Sequence, residues 1–211
     1  MDATYLAQQL QTALGLTSVT EELTGYATGY VTALKTGLAS HSSGTVVGTA
    51  PPGGPLVGGA ATAGQISGVI PTVMTGIMSA TGGFHFANQA MISSENSATL
   101  GYVESAGIID FESGSVNGTC TATILSPGIL ANGTGTDGEI SLLVGSALAS
   151  LIKPIVSPTQ SAPLMVPFYT ALCNYTMDYL RVNFSTGTVT GNFAPGGGAL
   201  TGGAASGGVV T

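Results

Sequence analysis

Asp110 and Glu112 stand two apart in "GIIDFES", residues 107–113. On a strand that spacing puts both carboxylates on one face. A pair held this way can bind Ca²⁺ or divide the work of acid and base. "DGE", Asp137 to Glu139, offers a second set of oxygen ligands. Neither pair sits in a metal-loop pattern, so both are read as solvated polar faces. His41 and His85 are the two histidines of the chain, too few for a three-histidine metal site. His85 lies between two aromatics in "GGFHFAN" and reads as a packed or loop residue. His41 falls at the end of an expected helix, where an imidazolium complements the dipole.

Residues 133–138, "GTGTDG", match the glycine spacing of a dinucleotide loop. That site also needs an acid about 20 residues downstream, and none lies between Glu139 and Asp178. No P-loop and no nucleophile elbow is present. The reading is a non-enzyme with no catalytic, cofactor-binding or metal residue. A site assembled between subunits would draw on Glu95, Glu104, Asp110, Glu112 and His85, which lie near one another in sequence.

The elements expected to carry these residues are mostly helical. Leu6, Leu10 and Leu14 recur every four residues and predict a helix over 3–14. Ser18 and Glu21 form a capping box ahead of a second helix over about 19–39. Its apolar stripe runs through Leu23, Tyr26, Tyr30 and Leu34. Further helices are expected over about 60–80, 86–104, 139–152 and 163–182. Pro167 falls in or before the first turn of the last. Residues 107–125 are β-rich and flank "GSVNG", which predicts a hairpin. Residues 126–139 read as loop. The expected fold class is mainly α with short β elements, α+β, in one structural domain over 1–211.

One phrase occurs twice. Gly44, Thr45, Val46, Gly48, Pro52, Gly53 and Gly54 match Gly187, Thr188, Val189, Gly191, Pro195, Gly196 and Gly197. Leu56 and the glycines after it then match Leu200 and its own. The predicted organisation is a duplicated helix–GTV–Pro/Gly arch unit. The copies cover 18–80 and 162–211, around a central segment 81–161. The tail over 185–211 is rich in glycine and should need a neighbouring subunit to order it.

Composition narrows the function. Charged residues make up 6% of the chain, against about 25% in an ordinary soluble domain. Three cations face ten acids, which excludes nucleic acid as a partner. The apolar stretches 66–80 and 139–156 are broken by Pro71 and by Lys153–Pro154, so no membrane span is expected. The N-terminus does not read as a secretory signal. Cys120 and Cys173 have no metal-type spacing and read as two free, buried side chains.

A surface with so few charges is expected to be covered by copies of itself or by other structural proteins. The resulting expectation is a structural subunit of a large multimeric particle. The particle is a tailed-phage virion, with the chain as decoration, tail or baseplate component, assembled in the host cytoplasm. The alternative is a secreted or cell-surface filament or adhesin subunit. The assembly contacts are placed on the two arches, at Gly44, Val46, Pro51, Pro52, Gly53, Gly54 and Leu56, and at Gly187, Val189, Pro195, Gly196, Gly197 and Leu200.

Overall fold

The computed structural model describes residues 1–81, 89–156 and 162–211. It divides into two units, each visited three times by the chain. One comprises Met1–Gly37, Gly68–Gly107 and Leu142–Leu180; the other comprises Leu38–Ser67, Ile108–Ser141 and Arg181–Thr211.

The first unit is helical. It contains α1 (Ala3–Ala13), α2 (Glu21–Leu34), α3 (Pro71–Ala80), α4 (Gln89–Ala106), α5 (Gly145–Ile152) and α6 (Ala162–Tyr179). Helix α1 starts where the Asp2 side chain accepts from the amides of Thr4 and Tyr5, and it buries Leu6 and Leu10. Helix α2 is capped by Thr20, whose hydroxyl accepts from the Leu23 amide, rather than by Ser18. Pro71 opens α3, where its missing N–H costs nothing. Pro167 lies inside α6, beyond the first turn that was expected for it. Each helix packs on the next in chain order, and α6 returns to α1, so the six form a ring.

The second unit is a closed antiparallel barrel of six strands. Its strands are β1 (Leu38–Ala50), β2 (Val57–Ser67), β3 (Ile108–Phe111), β5 (Gly128–Ser141), β6 (Arg181–Phe193) and β8 (Thr201–Val210). The order is β1–β2–β3–β5–β6–β8, and β8 pairs back onto β1. Two short strands complete it: β4 (Val116–Cys120) continues the line of β3 along β5, and β7 (Gly198–Ala199) lies on β1. The expectation of a mainly α fold is therefore wrong. The segment read as a helix from residue 60 is β2, and α3 begins only at Pro71. The segment read as loop over 126–139 is β5, and the glycine-rich tail is β6, β7 and β8. The tail is held by strand pairing within its own chain.

The expected hairpin over 107–125 is also replaced. Strands β3 and β4 do not pair with each other; both lie against β5. The break between them is residues 112–115, and the "VNG" of "GSVNG" already belongs to β4.

The two copies seen in the sequence have a third between them. Val46 pairs with Ala61, Val116 with Gly135, and Val189 with Ala205 within the three hairpins. Between hairpins the register repeats as well: Ala61 with Phe111, Gly135 with Phe184, and Ala205 with His41. The third junction brings the last hairpin back to the first, so the barrel has an internal three-fold repeat and no open edge.

A bulge recurs in the first strand of each hairpin. It turns on Gly44, Gly114 and Gly187, at φ of +88°, +94° and +84°, where an L side chain is strained. The bulge shifts the inward-facing phase, so buried positions run 39, 41, then 46 in β1 and 182, 184, then 189 in β6. The inward side chains stack in threes. His41, Phe111 and Phe184 form one layer, Val46, Val116 and Val189 the next, and Leu56, Leu130 and Leu200 a third. Filling by side chains is the usual solution for so narrow a barrel. Burying each Phe or Leu is worth about 1.5–3 kcal/mol.

Candidate functional site

Two places hold residues whose environment is unusual: the three hairpin tips at one end of the barrel, and the ring layer inside it.

The tips are Pro51–Pro55, Thr121–Pro127 and Ala194–Gly197, and none carries a charged side chain. Both arches of the repeated phrase make the same turn, with the Gly54 amide donating to the Pro51 carbonyl and Gly197 to Ala194, each at 3.0 Å. They meet on the middle tip. The Gly53 amide donates to the Ala122 carbonyl at 3.1 Å, and the Gly196 amide donates to the Thr123 carbonyl at 2.8 Å. The three tips are thus tied together by backbone hydrogen bonds. Beyond this tie the middle tip projects Ile124 and Leu125, 78% and 88% exposed. A shallow depression lies beside them, bounded by Pro52, Gly53, Ala122 and Thr123.

The thirteen expected contact residues divide. Pro51, Pro52, Gly53, Gly54, Pro195, Gly196 and Gly197 lie at the tips. Gly44 and Gly187 are exposed in the mid-strand bulges. Val46, Val189, Leu56 and Leu200 point into the barrel and are buried, so no partner can touch them in the folded chain. Ile124 and Leu125 were missed. Their signal was a pair of branched apolar residues between Thr123 and "SPG", in a stretch read as the end of a strand.

Inside the barrel, His41 occupies the place that Phe111 and Phe184 hold in the other copies. The three ring centroids are mutually 5.5–5.7 Å apart. Each ring covers a glycine of an adjacent strand: Gly64 under His41, Gly138 under Phe111 and Gly208 under Phe184. A Cβ at any of the three would collide with the ring above it. His41 is 3% exposed. Its Nδ1 lies 3.1 Å from the Thr62 carbonyl, which accepts its proton, while Nε2 is buried with no hydrogen-bond partner among the described residues. Burial holds its pKa below the usual histidine value; the Thr62 carbonyl and the Asp110 carboxylate pull weakly the other way. The expected place at a helix terminus is wrong, because α2 ends at Leu34 and His41 lies in β1.

Asp110, Glu139, Glu104 and Glu95, four of the carboxylates considered for chemistry, have structural partners. Asp110 accepts from the Ala63 amide at 2.9 Å; at Asp137 the backbone amide is engaged, donating to the Asn183 side-chain oxygen at 3.0 Å. Glu139 pairs with Arg181 at 3.1 Å on the barrel surface. In the helical unit Glu104 accepts from the Val69 amide at 2.8 Å. Glu95 accepts from the Tyr169 hydroxyl at 2.6 Å, and burial raises its pKa against the opposing pull of that hydrogen bond. Glu112 is exposed. His85 lies outside the described residues. "GTGTDG" is internal to β5, and α5 begins several residues later, so it does not open a helix. Among the described residues no three His, Cys, Asp or Glu come together as a metal site. Cys120 and Cys173 are buried free thiols, one in each unit, and burial pushes Cys173 up to about 11. Among the described residues no helix is long and apolar enough to cross a membrane.

Comparison with known protein families, with curated proteins and with solved structures returns no match.

Proposed function

We propose that this chain is a non-enzymatic structural subunit of a large multimeric particle. We propose further that the particle is a virion of the tailed-phage kind, in which the chain is a decoration, tail or baseplate component. The observation that carries the reading is the tied cluster of uncharged tips with Ile124 and Leu125 projecting from it. An exposed apolar pair on a rigid, charge-free platform is suited to burial against protein. The scarcity of charge elsewhere on the chain supports the same conclusion, since little opposes close approach of like subunits. An internal three-fold repeat also fits a position facing equivalent neighbours.

The test is the size of the purified full chain, by light scattering and negative-stain microscopy, alone and with the double variant Ile124→Ser, Leu125→Ser. Defined multimers that the variant reduces to monomers, with its thermal midpoint unchanged, are expected. Monomers at every concentration, with no binding to isolated virion proteins, would overturn the proposal.

A further inference from the structure

We propose that His41 makes the barrel acid-sensitive: protonating this ring loosens a core that its two symmetry mates keep permanently apolar. The barrel repeats its register three times, so the ring position can be compared across copies within one molecule. Two copies fill it with phenylalanine and one with a titratable ring.

The surroundings accept the neutral ring alone. The Thr62 carbonyl fixes the proton on Nδ1 and leaves Nε2 as the lone-pair nitrogen. A proton arriving at Nε2 finds no acceptor among the described residues. The Gly64 backbone closes one side of the ring, and Phe111 and Phe184 close two others. The flanking strands β2 and β8 carry no ionisable side chain. On β3, Asp110 is the carboxylate that acts on His41, but its Oδ1 is engaged by the Ala63 amide. Glu112, just past the end of β3, and Glu139 on β5 are exposed, and Glu139 pairs with Arg181 of β6. The two phenylalanine rings offer a cation at most a weak π contact, which does not replace a carbonyl or carboxylate acceptor. Desolvation dominates.

The sign follows. The folded pKa lies below the unfolded one, so this stability is fully present above about 6.5. It is lost as pH falls from there toward the folded pKa, because the unfolded chain takes up the proton first.

The experiment is denaturant unfolding of the full chain from pH 7.5 to pH 5, beside His41→Phe. The unfolding constant of the wild type, relative to the variant, should rise toward a limit of about tenfold per pH unit below pH 6.5. Parallel pH profiles for the two proteins would overturn the proposal. A second measurement stands whether or not that variant folds: an NMR titration of the imidazole in His85→Gln, which leaves His41 as the one histidine. A midpoint below 6.5 supports the proposal, and a midpoint at or above it refutes it.

Discussion

The barrel and the helical ring are both built from three successive pairs of elements, yet they fill their interiors differently. In the barrel, equivalent positions hold near-equivalent residues: three valines, three leucines, and two phenylalanines with a histidine. In the helical unit, the positions at matching distances ahead of His41, Phe111 and Phe184 are Tyr26, Asn96 and Tyr169. All three are buried, two tyrosines and one amide, whereas the buried positions eleven residues ahead, Tyr30, Leu100 and Cys173, share neither size nor polarity. The helices vary too, from the eight residues of α5 to the eighteen of α4 and α6.

Strand pairing explains the contrast. A backbone ladder with period two leaves no freedom to slide, because a one-residue slip turns the inward set outward. Helices pack by ridges and grooves, where lengths and contacts can drift without breaking any backbone hydrogen bond. Repetition therefore survives in the barrel and fades in the ring.

The largest effect should come from breaking the layer where the barrel copies agree. Phe184→Ala removes one of three mutually touching rings and is expected to cost about 3–5 kcal/mol in urea unfolding. A cost below 1 kcal/mol would mean that the ring layer does not hold the barrel.

The helical interior should respond to charge. Glu95 is buried with its pKa raised, chiefly by desolvation. A carboxyl with a raised folded pKa favours the fold below its unfolded pKa, and this contribution declines as pH rises through the folded value. Glu95→Gln should therefore be more stable than the wild type at pH 7, by on the order of 1 kcal/mol. The gap should close toward pH 4. His41 titrates with the opposite sign, so the two regions can be separated by pH alone. Equal stability of Glu95→Gln and the wild type at both pH values would remove the distinction.

The smallest effect tests a local mismatch. Leu142 adopts φ +66°, where the first copy has Gly68 at +75°. Its side chain is 66% exposed, so little packing is lost on truncation. Leu142→Gly should raise the thermal midpoint, corresponding to about 0.5 kcal/mol after the entropy of glycine is subtracted. A lowered midpoint would show that the left-handed turn is not strained there.

Some of this was legible in the sequence. Leu6 and Leu10 marked α1, and the stripe through Leu23, Tyr26, Tyr30 and Leu34 marked α2, because a helix writes its buried face at a fixed spacing. The correspondence of Val46 with Val189, and of Leu56 with Leu200, was visible from residue order and reappears as equivalent barrel positions. The third copy was hidden. "ESGSVNGTC" keeps the glycines but not the GTV wording, and its tip is longer. The strands were hidden for another reason: the bulges at Gly44, Gly114 and Gly187 break the alternation that announces a strand. The second strands of the first and last hairpins are more than half Gly and Ala, residues that carry little strand signal.

The sequence by itself determined the scarcity of charge, the places of two helices and the existence of a repeated phrase, because each is a property of composition or short-range order. Only the tertiary structure decided that the phrases are strands, that they number three, and that His41 lies inside among phenylalanines rather than at a helix end. Those outcomes depend on pairing between residues far apart in the chain. A glycine beneath a ring has meaning only once the ring's strand is beside it.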